Sequence, residues 1–199
     1  SGGASPTNIA AGGPAGINDN YLRLASIGGG GPGGSLAGFN DFQWSGDYVG
    51  NNVTSITADM KVFAGPSLQM RLLLLFGSGG FFTSTVAVPL PADGLWHSLS
   101  FPVTPAALTY VGGGGSGVAI DTLSNLPRLL IRHQSGLPVG QGTTTPVAAQ
   151  VGSARALDAC SFAVGSDSHR STPTVIVPLR LQPHEPRRVC ARISGGGYA

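Results

Sequence analysis

Residues 42–60, FQWSGDYVGNNVTSITADM, place Trp44, Asp47 and Tyr48 immediately before a strand-like stretch. An exposed ring beside a carboxylate is the chemistry of a sugar-binding surface, in which the ring packs on the C–H face of the sugar and polar groups take its hydroxyls. The same residues can close a loop over a core, with the ring on the apolar layer and the carboxylate accepting backbone N–H bonds in the turn. Aromatic rings are more often core or edge residues than ligand contacts, so scaffold is the favoured role for this group. Tyr48 is expected to be the more exposed of the two rings, and Tyr48 and Trp44 are carried forward as candidate contacts.

Arg132, His133 and Gln134 end a strand and enter the loop SGLPVGQG, the kind of position where recognition side chains gather. Alternation puts Arg132 and Gln134 on one face and His133 on the other. Arg132 and Gln134 could bind hydroxyls or the carboxylate of an acidic sugar, although a solvated face is the plainer reading. A lone His97 beside Trp96 reads as structural. Asp19, between Asn18 and Asn20, precedes the first strand, and Asp158 ends the last one expected. Together they could hold a structural calcium ion, which takes carboxylate, amide and backbone oxygens, but an Asx turn at NDN is the simpler account.

For catalysis there is little to work with. The chain has no G-x-S-x-G, no H-E-x-x-H and no Cys/His nucleophile pattern, and its single Glu, Glu185, lies near the C-terminus. Asp47, Asp59, Asp93 and Asp121 show no spacing that favours the facing carboxylate pair of a glycosidase. The expectation is a protein that is not an enzyme. GGGPGG at 29–34 spells the dinucleotide fingerprint, but Pro32 interrupts it and no helix pattern follows, so it reads with GGGGSG as a flexible loop.

The elements that must position these residues are strands. Only 10% of the 199 residues are charged, Gly supplies 32 of them, and Lys61 is the one lysine, a composition that favours turns and extended segments over helices. VTSITADMKVF alternates cleanly, with Ile56, Ala58, Met60 and Val62 facing inward. LQMRLLLLF (68–76) becomes apolar on both sides and reads as a central strand. GSGG turns it into FFTSTVAVPL as a hairpin. YLRLASI (21–27), LWHSLSFPV (95–103) and RLLIRHQ (128–134) add strands, 145–158 supplies one or two more, and a short helix fits TPAALTYV or DTLSNL. Eight or more short strands with Gly/Pro turns predict an all-β, jelly-roll-type β-sandwich with a C-terminal extended tail.

Composition shifts after Asp158, where five of the eleven basic residues lie. Residues 1–158 are read as the sandwich domain and 159–199 as an appendage. Cys160 and Cys190, thirty residues apart and outside any CxxC pattern, fit one disulfide better than a metal site. TPTVIVPLRL within the appendage could act as a strand-donating arm on its own or a neighbouring sheet edge. A formal charge of +2 gives no reason to expect nucleic acid. No apolar run is long enough to span a membrane, and no leader pattern opens the sequence, so the expected form is a processed chain.

The order YLRLAS, FQWSGDYVGNNVTSITADM, LQMRLLLLFGSGGFFTSTVAVPLPADGLWHSLSFPV, LPRLLIRH and GSARALD resembles the jelly-roll domains of secreted bacterial proteins, which are similar to laminin B (domain IV) and carbohydrate-binding-module sandwiches. The likeness covers residues 12–158 and departs after Asp158, where ALDACS stands in place of the LDNI ending common in such domains. It implies a secreted or cell-surface, noncatalytic module for a carbohydrate or surface polymer, for which Tyr48, Arg132, Gln134 and Trp44 are the candidate contacts read from the residues above. The alternative is a structural subunit of an extracellular fibre that forms homo-oligomers through its C-terminal arm.

Overall fold

The computed structural model describes residues 5–29, 35–40, 44–140, 146–154 and 180–181. The alternation of Ser55–Ala64 forms β4, with Ile56, Ala58, Met60 and Val62 buried and the side chains between them facing outward. Three strands precede it: β1 (Thr7–Ile9), β2 (Tyr21–Ile27) and β3 (Ala37–Asn40). The doubly apolar run Leu68–Gly77 is β5, followed by β6 (Gly80–Ser84), β7 (Val88–Leu90), β8 (His97–Pro102) and β9 (Leu108–Tyr110). Then come α1 (Ala119–Ser124), β10 (Arg128–His133), β11 (Ala148–Ala154) and the two-residue β12 (Arg180–Leu181).

The strands make two antiparallel sheets that pack as a sandwich. Sheet one runs β1-β2-β11-β4, with β8 on the other edge of β4, and sheet two runs β3-β10-β5-β6-β9, with β7 continuing the β6 edge of β5. Pairing is nested: β2 takes β11, β3 takes β10, β4 takes β8 and β5 takes β6. Early strands thus close against late ones, as in a jelly roll. Because β4 also pairs with β12 at Thr57 and Ile56, where β8 occupies the opposite edge, β12 extends the β11 side of β4.

Ile56, Met60 and Val62 of β4 meet Leu72 and Leu74 of β5, Phe101 of β8 and Leu129 of β10 in the main core. A second cluster, Leu73, Leu75 and Leu130 with Phe81 and Val111, covers the outer side of sheet two, which is why β5 is apolar on both faces.

Three sequence expectations change. FFTSTVAVPL is two strands, because the chain leaves the sheet at 85–87 and exposes Val86. DTLSNL falls largely within α1, whereas TPAALTYV makes one 3₁₀ turn, Pro105–Ala107, and then β9. GGGGSG is not a slack linker: Phe81 N donates to Gly112 O at 2.7 Å and Gly117 N to Gly79 O at 3.0 Å, laying the loop along the β5–β6 turn.

Candidate ligand-binding face

The Trp44–Tyr48 segment closes one end of the sandwich. Gly46 exchanges backbone hydrogen bonds with Leu126, each 2.9 Å, and Tyr48 N donates to Leu123 O at 2.8 Å. Tyr48 is buried, its hydroxyl donating to the Trp44 carbonyl at 2.8 Å, and burial pushes its phenol well above the usual range. Asp47 Oδ1 accepts Gly50 N at 2.7 Å, closing the turn. Trp44 packs on the core and is only partly buried, so the expected order of exposure of the two rings is reversed.

Arg132 and Gln134 share a face, as alternation requires, but both are 1% exposed. Register sets Arg132 on β10 directly opposite Arg71 on β5. Arg71 donates to the carbonyls of Ser84 (2.6 Å), Thr85 (2.7 Å) and Gly136 (2.8 Å). Arg132 donates to Gly140 O at 2.9 Å, to Gln134 Oε1 at 2.5 Å and to the Val139 carbonyl, and Gln134 Nε2 donates to Leu137 O at 2.5 Å. The two guanidiniums therefore pin loop 134–140 back over the sheet instead of offering it to solvent. Burial, with the charge of Arg71 second, lowers the Arg132 pKa to about 10. His133 points into the core side, where its Nδ1 accepts Gln69 N at 3.0 Å.

Asp19 is a turn residue: its Oδ2 accepts Ala15 N at 2.9 Å. Asp158, Cys160 and Cys190 lie outside the described residues. Among the described residues, no group of three His, Cys, Asp or Glu side chains could hold a metal ion, and Asp158, the other half of the expected calcium pair, lies outside them. Of the other carboxylates, Asp93 accepts from His97 Nε2 at 2.9 Å, which holds it below the usual carboxylate range, and Asp121 accepts from Ser116 Oγ.

The surface that does gather aromatic rings lies elsewhere, on the outer face of sheet one. Tyr21 opens β2, Phe63 lies near the end of β4 and Trp96 stands just before β8, each on the polar side of its strand. Tyr21 and Phe63 stack with centroids 5.2 Å apart and planes 20° from parallel. Trp96 meets both edge-on, at 5.4 and 6.2 Å. The rings converge over Gly152 of β11, where an added Cβ would lie 2.7 Å from both Phe63 and Trp96, so glycine is what lets them close across the intervening strand.

Trp96 Nε1 donates to Gly12 O at 3.2 Å, and Lys61 Nζ sits 5.0 Å from the Phe63 centroid. Register places Arg23, Gly152 and Lys61 in one row across β2, β11 and β4. The result is a half-exposed aromatic platform rimmed by two cations.

Reading for motifs missed this site, but a signal was present. Ser55, Thr57, Asp59 and Lys61 make a polar face that ends in Phe63, and Trp96, Ser98 and Ser100 repeat the pattern. What no local pattern shows is that Gly152 brings these strand ends together. The chain matches no protein-family model and no curated protein.

Proposed function

We propose that this chain is a noncatalytic, extracellular carbohydrate-binding module whose ligand lies on the outer face of sheet one. The observation that carries the reading is the Tyr21–Phe63–Trp96 platform over Gly152. Ring faces and edges at a sheet surface suit the C–H faces of sugars, and Arg23, Lys61 and Ser98 flank them with hydrogen-bond donors. The composition, with few charges and abundant Ser, Thr and Gly, fits an extracellular β protein.

Affinity electrophoresis and Trp96 fluorescence against a panel of soluble polysaccharides test it. At least one polymer should retard the protein, and Phe63→Ala, which removes a partly exposed ring, should weaken binding about tenfold, equivalent to about 1.4 kcal/mol. A panel without retardation, or a Phe63→Ala variant that binds like the parent chain, would overturn the proposal.

One observation favours a second reading, a subunit of an extracellular assembly. Arg180–Leu181 pairs antiparallel with β4, so the C-terminal segment can complete a sheet by strand addition. Light scattering of the full chain and of a chain ending after Ala154 separates the two: an assembly subunit loses its oligomers on truncation, whereas a binding module keeps its affinity.

A further inference from the structure

Arg71 and Arg132 form a buried pair of like charges. The two residues stand directly opposite each other on β5 and β10, 5% and 1% exposed. They also reach adjacent residues of β6: Arg71 Nη1 lies 2.6 Å from Ser84 O, and Arg132 Nη2 lies 3.4 Å from Thr83 Oγ1. Both guanidiniums therefore gather over β5 and β6, and both donate to carbonyls of the same loop, at Gly136 and Gly140. Like charges directly opposite in a sheet repel, and water screens them little at this burial. Burial lowers Arg132 only to about 10, so it keeps its proton at neutral pH and the pair is not relieved by neutralisation.

The acceptors of these two side chains among the described residues are carbonyl oxygens, the Gln134 amide oxygen and the Thr83 hydroxyl, which supply dipoles but no negative charge. The Nε–H of each arginine is buried without a partner among those residues. A water molecule at each Nε would answer the orphan donors but not the two positive charges. An anion answers both.

We propose that a halide ion, chloride in ordinary buffers, binds between Arg71 and Arg132 on their two Nε–H groups and completes the clamp on loop 134–140. The orphan donors choose the ligand. The Nη ends that would grip a carboxylate or phosphate as a paired fork are already on neutral acceptors, which leaves Nε as the wholly unpartnered donor on each side chain. A spherical monovalent ion accepts from such isolated donors, whereas an oxyanion would be buried with oxygens that have nothing to accept from. The site is independent of any saccharide on the platform of sheet one.

Thermal unfolding at a fixed ionic strength of about 0.2 M, with sodium gluconate replaced stepwise by sodium chloride or bromide, tests the site free of general screening. Tm should rise and level off, by about 3–6 °C once the halide is tenfold above its Kd, and loop 134–140 should be cut more slowly by proteases. Arg23→Gln, which removes an exposed cation of sheet one, should keep the whole increment. Arg71→Gln should lose it and melt at one temperature in both salts. If that variant does not fold, equilibrium dialysis of the parent chain with radiolabelled chloride in gluconate decides. Excess chloride held by the protein and released by bromide supports the site, and no excess overturns it. Equal melting of the parent chain in the two salts, or a chloride increment that survives in Arg71→Gln, also overturns it and leaves water as the partner of Nε.

Discussion

Arg71 and Arg132 face each other across neighbouring strands, and among the described residues neither is paired with a carboxylate. Their charge is met by carbonyl dipoles, and the Nε atoms of both are buried without a partner among those residues. Replacing Arg132 by the apolar isostere Met leaves Gln134 Oε1 and the carbonyls of Val139 and Gly140 without their donor, so Arg132→Met should cost about 2–4 kcal/mol and open loop 134–140 to proteolysis. Urea unfolding and limited digestion check this, and a variant as stable and as resistant as the parent would refute the clamp. His133 gives the pH dependence. Burial holds it below the ordinary imidazole value of 6.5, so the unfolded chain takes up the proton first. Its contribution is intact above 6.5 and is lost as pH falls through the lower folded-state value. His133→Gln, which keeps an acceptor for Gln69 N, should flatten stability across that window in pH-dependent melting. Alternation revealed which face each of these residues takes. It could not reveal that a loop returns over the Arg face, because the contacts are to backbone carbonyls that carry no sequence signature.

The glycine-rich loop 112–117 shows the same limit for an element. Composition makes GGGGSG a slack connector, yet its partners at 78–81 hold it by a ladder of backbone bonds that no run of glycines announces. Two neighbours in the loop separate packing from strain. Gly113 has φ +84° and an added Cβ would fall 2.4 Å from the Phe81 ring, whereas Gly114, at φ +73°, would meet nothing within 4 Å. Gly114→Ala should therefore cost only the left-handed backbone term, about 1 kcal/mol, and Gly113→Ala at least about 2 kcal/mol. Equal losses in thermal unfolding would mean that the loop does not press on Phe81. β4 was legible because its period is strong, and β5 and β10 because an apolar run bounded by turn residues marks a buried strand. The short β1, β3 and β9 were not, since three or four residues beside glycine or a turn carry too little alternation to register.

For the whole molecule, the nested pairing means that β2 and β11, at opposite ends of the sandwich sequence, share a sheet, and the main core is assembled from both sheets at once. Most of it lies between residues 22 and 151. A chain ending after Ala154 should therefore unfold in a single cooperative transition, seen as coincident fluorescence and calorimetric melts; a broad, probe-dependent melt would assign the appendage a part in the core. The sandwich class was readable from turn spacing and strand length. The platform was not, because it is made by strand order, which brings Tyr21, Phe63 and Trp96 together from positions spread over 76 residues of sequence.

Lys61 has a practical consequence for anyone handling the protein. It is the only lysine, and its ammonium lies against Phe63 at the rim of the platform. Amine-reactive labels and amine-coupled sensor chips, apart from reaction at an α-amine, can attach at this one side chain alone. Such chemistry would anchor the molecule by the face proposed to meet sugar, and immobilised protein would look inert for reasons of orientation. Tethering through a C-terminal tag keeps that face open, and mass mapping of a single added label would report directly whether a bound polymer shields it.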